Sequence, residues 1–157
     1  MITMDTAALT EVPTLADSHC DCFACGIGNG TGLKLHFDVG TDGIASAVWQ
    51  PSAAFRSYPD RVHGGVIATL LDSAIVHALC AKGVAGVTAE LTVRFLQSVN
   101  VLDPVSVAGW VESNRIGIYL CRGEIHQAGV LAVRAAGKFM AKNSESNEAT
   151  PHRSCND

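Results

Sequence analysis

The chain has 157 residues, of which 48% are hydrophobic and 17% charged, with a net charge of -4. A chain of this length suits one domain that buries about 70% of its unfolded surface, so no disulfide or metal is required to hold it together. The mild acidity excludes a nucleic-acid footprint, and the amino-terminal stretch, with Asp5, Glu11 and no basic cluster or apolar run, lacks the form of a secretion signal.

A cytoplasmic protein with its six cysteines as thiols is therefore expected. Residues 1–18 show no periodicity and read as a loosely held arm. His19, Cys20, Cys22 and Cys25 then cluster, and Cys22 and Cys25 have the spacing used at zinc sites. A full site would want a second ligand pair and His36 is the only nearby candidate, so packing or a tight turn is favoured and no metal is expected. Gly26, Gly28 and Gly30 precede a strand instead of opening a helix, which removes them as a nucleotide loop. Leu33, Leu35, Phe37 and Val39 alternate with polar residues as in a half-buried strand, Gly40 to Gly43 turn the chain, and Ile44 to Gln50 return as a second strand. Pro51 to Val62 is read as a loop.

Arg61 to Gly83 organises the rest. After His63-Gly64-Gly65 it is apolar as far as Ala81 except for Thr69, Asp72, Ser73 and His77, the pattern of a helix buried nearly all round. The central aspartate and two histidines argue against a membrane span. Gly65, Thr69, Asp72 and Val76 share one face on a 3.6-residue period. A buried carboxylate needs compensation: Asp72 is either satisfied structurally or held for nucleophilic or general-base work. A glycine pair at a helix amino terminus also exposes N–H groups at the positive end of the dipole, where an oxyanion can be held.

Beyond Gly83 the pattern is β. Val87 to Phe95, Val105 to Val111, Ile116 to Gln127 and Val130 to Met140 supply four strands, and 143–157 is a polar tail expected to be disordered. Strand, strand, helix and four strands define an α+β domain over 19–142. Its economical solution is an antiparallel sheet of about six strands wrapped around one long central helix. Exposed edges favour pairing with a second copy.

Three segments carry a resemblance. His63-Gly64-Gly65 with Ile67 to Asp72, Cys22-Phe23-Ala24-Cys25-Gly26 leading to Gly32 to Phe37, and Thr88 to Phe95 together resemble the PaaI-like hotdog-fold acyl-CoA thioesterases over about residues 20–141. The resemblance implies a hotdog fold, a homodimer that can pair into a dimer of dimers, active sites at the dimer interface, and hydrolysis of a small or medium acyl-CoA without a cofactor. It places Asp72 as the catalytic carboxylate, Gly64 and Gly65 as the turn that polarises the carbonyl, and Thr88 as the assisting hydroxyl. His63 shapes the turn or moves a proton. Arg56 and Ser57 stand where related chains often carry a Gln-Gly or an Asn, so they are the substrate-side departure, and Arg94 is among the cations able to meet CoA phosphates. The alternatives are a module that binds acyl-CoA without turnover and, fitting the helix motif less well, a hydroxyacyl-thioester dehydratase.

Overall fold

The computed structural model describes residues 19–142; the arm and tail expected at 1–18 and 143–157 lie outside them. Among the described residues there is one α-helix, α1 (Gly64–Cys80), and eight strands: β1 (Asp38–Val39), β2 (Ala45–Trp49), β3 (Arg56–Tyr58), β4 (Arg61–Val62), β5 (Gly86–Phe95), β6 (Val105–Arg115), β7 (Ile118–Gln127) and β8 (Val130–Ala141). Six of them form one sheet in the order β1-β2-β6-β7-β8-β5, and β3 and β4 pair separately. Every ladder is antiparallel, so β5 is an open edge of the sheet. The α+β hotdog architecture expected from the sequence is the one observed.

The helix starts where its motif begins. His63 sits in extended backbone, and its Nδ1 accepts a hydrogen bond from the Gly65 N–H at 2.9 Å, an imidazole serving as the N-cap. At the other end Gly83 takes φ +75°, the left-handed conformation that favours glycine after a helix. Between these ends Ile67, Leu70, Leu71, Ala74, Ile75, Ala78 and Leu79 are fully buried, the larger of them stabilising the fold by roughly 1.5–3 kcal/mol each. Contact with the sheet is closest at Gly109 of β6, where a Cβ would stand 2.6 Å from the backbone of Ala74 and Ile75. The absent side chain is what lets the helix backbone rest on the strand.

Four expectations are corrected. The helix is not buried all round: Gly64 and Gly65 are exposed and Thr69, Asp72 and Val76 half-buried, because the sheet of one chain covers one side of it. The first strand is far shorter than 33–39; Leu33 and Leu35 are buried as their alternation implied, but their N–H groups donate to Phe23 O and Ala24 O at 2.9 Å instead of entering the ladder. Lys34, at φ +55°, breaks the strand between them. The stretch read as a loop contains the β3–β4 hairpin, whose strands are too short to show a period. Finally, Cys20 is disulfide-bonded, while Cys22, Cys25, Cys80 and Cys121 are free thiols. No helix of the described residues is long and apolar enough to cross a membrane.

Candidate functional site

The carboxylate of Asp72 is met by Thr88, and the reason lies in an irregularity of β5. Strict alternation would place Thr88 on the same face as Glu90, Thr92 and Arg94, pointing away from the helix. The register shows otherwise: Thr88 lies opposite Phe139 and the next pair is Glu90 with Lys138, so Ala89 is an extra, bulged residue. Phe139 is fully buried on the helix side, whereas Glu90 and Lys138 form an exposed ion pair at 2.8 Å. The bulge therefore turns Thr88 over to the helix side, and its Oγ1 donates to Asp72 Oδ1 at 2.6 Å. A hydroxyl-to-carboxylate bond of that length is charge-assisted and fixes the orientation of the carboxyl group. Asp72 keeps a second oxygen for chemistry and is half-exposed, open to an incoming molecule.

At the helix entry the two glycines differ. The Gly65 N–H is committed to His63 Nδ1; among the described residues no acceptor sits on the N–H of Gly64. Of the turn's two amides, Gly64 is thus the one free to bind an oxyanion, and His63 acts as the cap that holds the turn. Acceptance at Nδ1 from a backbone N–H also requires a neutral ring with its proton on Nε2. The His63 N–H in turn donates to Phe55 O at 2.8 Å, tying the entry to the segment just before β3.

Gly64 opens onto a cavity of about 440 Å³ whose wall includes Ser57, Tyr58, Ile67, Phe95 and Gln97. Ser57 is thus in the wall beside the glycine turn; Arg56 is exposed on the same short strand but is not part of the wall. Arg94 stays on the outer face of β5, opposite Arg134 in register, and is brought to neither Gly64 nor Asp72 within the chain. Gln97 and Phe95 were not singled out from the sequence. Phe95 was visible only as the last apolar residue of a strand, and nothing in the pattern marks Gln97.

Asp72 and Thr88 do not line this cavity. Eight residues of helix separate Gly64 from Asp72, about 12 Å at a rise of 1.5 Å per residue. The free amide and the carboxylate are therefore well separated within the chain.

Other titratable groups are tuned by burial. His77, farther along α1, has its pKa pulled down to about 4, chiefly by burial and then by the charges of His19 and His36, and its Nε2 is buried without a hydrogen-bond partner. Burial pushes the Cys121 thiol up to about 11 and, with the neighbouring Cys22, the Cys25 thiol up to about 12.

An antiparallel sheet of six strands with a single long helix lying along it and a glycine turn at the helix entry defines a hotdog-fold protein. Residues 60–133 match the thioesterase superfamily. A thioesterase superfamily protein of known crystal structure is similar to the chain at 27% identity and a TM-score of 0.71 over 74% of it, and the chain covers 61% of that protein's length. The Escherichia coli PaaI protein from the phenylacetic acid degradation operon has 20% identity and a TM-score of 0.66, over 71% of this chain and 81% of its own. A hypothetical thioesterase from Streptococcus pneumoniae TIGR4, solved with coenzyme A, has 17% identity and a TM-score of 0.64, over 69% of this chain and 86% of its own. No curated protein matches the chain by sequence. Over residues 60–133 the chain is thus similar to the thioesterase superfamily, and it shares the hotdog fold of these solved structures.

Proposed function

We propose that the protein is an acyl-CoA thioesterase that releases CoA from a small or medium acyl group, working as a homodimer with no metal or redox cofactor in the reaction. The observation that carries this is the Thr88–Asp72 bond at 2.6 Å, a carboxylate held by a bulge built for that contact. The thioester oxygen would be held by the Gly64 N–H at the positive end of α1, where charge developing in the tetrahedral intermediate is stabilised. Asp72 either takes a proton from water, whose hydroxide then adds to the carbonyl carbon, or attacks that carbon itself. Either way the C–S bond breaks and CoA leaves as thiolate. In the second route water then hydrolyses the Asp72–acyl anhydride to free acid and carboxylate; ¹⁸O from solvent water found in Asp72 after a single turnover identifies that route, because the general-base route never labels Asp72.

The separation of about 12 Å between Gly64 and Asp72 supports a site completed by a second copy, because reacting groups need to approach to about 3–3.5 Å. The open edge of β5 suggests how. Phe95, on the Gly64 side, ends that strand, and Thr88, on the Asp72 side, lies two residues from its start. Antiparallel pairing of two β5 edges sets the Phe95 end of one chain beside the Thr88 end of the other. Each site then takes its oxyanion donor from one chain and its carboxylate from the partner. The cavity with Ile67, Phe95, Leu96 and Val99 in its wall would hold the acyl group, and Gln97 would supply the side-chain amide that Arg56-Ser57 does not.

The test is CoA release measured chromatographically over short, medium, long and aromatic acyl-CoAs. Turnover of at least one class, reduced at least 100-fold by Asp72→Asn, is expected; no turnover in the panel, or an unaffected Asp72→Asn variant, overturns the proposal. The exposed Arg56-Ser57 pair favours the second reading, an acyl-CoA-binding module. Tight acyl-CoA binding without release would identify it.

A further inference from the structure

At the opposite end of α1 from the glycine turn, residues 19–28 roll into two consecutive tight turns. Cys22 N donates to His19 O at 3.0 Å, Gly26 N to Cys22 O at 2.8 Å and Gly28 N to Cys20 O at 3.0 Å. A Cβ on Gly26 would stand 2.3 Å from Cys20 O and 2.4 Å from Cys22 N, so only glycine closes the loop this far. The closure brings three soft donors together: one ligand atom from each of His19, Cys22 and Cys25 lies within 4.8 Å of the others, and all three residues are half-buried. His36, the ligand that the sequence offered, points away, exposed and 4.0 Å from Asp38. His19 takes its place.

Distance decides the chemistry. In a tetrahedral zinc site with Zn–S near 2.3 Å and Zn–N near 2.0–2.1 Å, the edge from sulfur to nitrogen is about 3.6 Å. Cys25 Sγ stands 3.6 Å from His19 Nδ1. A second observation comes from α1: the buried Nε2 of His77, whose ring meets that of His19 edge-on at 6.4 Å between centroids, has no hydrogen-bond partner. A buried imidazole nitrogen next to the His19 ring is a polar group that calls for a polar partner there.

We propose that His19, Cys22 and Cys25 bind one zinc ion through one imidazole and two thiolates, with water in the fourth position near His77. The ion is structural. It would staple the 19–28 turns, whose Ala24 is buried in the main core and whose carbonyls hold Leu33 and Leu35, against the end of α1. Binding replaces two S–H protons by the ion and releases both to solvent; no electron moves.

Zinc content of the full-length chain, purified under reducing conditions and passed over a sizing column with a weak chelator, tests this. One zinc per chain is expected, falling below roughly 0.2 in Cys22→Ser/Cys25→Ser and in His19→Ala, with Cys121→Ser retaining its zinc. Cobalt added to the metal-free chain should give the intense thiolate-to-cobalt absorption of two sulfur ligands, a reading on the unmutated chain that does not depend on how the variants fold. Absence of that absorption, or zinc retained at full level in the double variant, overturns the proposal. Neither outcome bears on hydrolysis, whose residues lie elsewhere on α1 and β5.

Discussion

Replacing Thr88 with valine keeps the shape of the side chain and removes one hydrogen bond, the 2.6 Å bond to Asp72. A hydrogen bond to a charged group is worth about 1.5–3 kcal/mol, but in the free protein Asp72 is half-exposed and water replaces the lost donor. The melting temperature should therefore move by no more than about 2 °C, for a stability change within roughly 0.5 kcal/mol. Once acyl-CoA excludes water the full value applies, and kcat for the preferred acyl-CoA should fall by roughly 10- to 150-fold. A companion variant isolates geometry from chemistry. Deleting Ala89 makes Thr88 and Glu90 consecutive residues opposite Phe139 and Lys138, so Thr88 stays on the helix side; the variant should keep kcat to within a few-fold while circular dichroism reports an intact sheet. Lys138→Ala, which breaks only the exposed pair with Glu90, should keep its kcat and change stability by about 0.5 kcal/mol or less. A Thr88→Val enzyme with unchanged kcat, or an Ala89 deletion that folds but loses its activity, would refute the reasoning.

Four further outcomes follow from other parts of the molecule. Gly109→Ala forces a Cβ to 2.6 Å from the α1 backbone and should cost about 1–3 kcal/mol in urea denaturation, whereas an unchanged midpoint would mean that the helix can lift. His63→Ala removes the cap on Gly65 and should cost about 1 kcal/mol, a melting shift of roughly 2–4 °C that His63→Asn largely restores. Cys121 ionises near 9.0 when unfolded and near 11 when folded, so its contribution to stability is complete below pH 9.0 and is lost as pH rises toward about 11; Cys121→Val should flatten the stability profile in that window, and Cys121 should resist alkylation at pH 8. Gln97→Ala, at the wall beside Gly64, should lower kcat/KM by about tenfold with no change in melting temperature; equal kinetics would remove the amide from the site.

The fold was legible because its two strongest signals are long. Seventeen residues of helix and the last four strands exceed the length at which a period stands out. Short pieces were not legible: β3 and β4, at three and two residues, carry no period, and the run from Leu33 to Phe37 has strand-like burial but pairs with an irregular segment. The site divides in the same way. Asp72 stood out because a carboxylate amid apolar residues demands compensation, and the glycine turn because its amides must point somewhere. The partition between Gly64 and Gly65 was hidden, since it depends on the rotamer of His63.

The bulge shows how a local count can mislead about a site. By parity alone, Thr88 groups with Arg94 on the polar face of its strand, and a reading by alternation would discard it as a partner for Asp72. One extra residue, Ala89, reverses that parity for everything before it and leaves Arg94 where it was. The spacing from Gly64 to Asp72 works the other way, because eight residues of α-helix fix about 12 Å whatever surrounds them. No rotamer of Asp72 closes that gap. On the proposed reading, an oxyanion donor and a carboxylate this far apart on one straight helix call for two chains. The same proposal puts the second chain along β5, the edge strand that carries Thr88 near its start and Phe95 at its end.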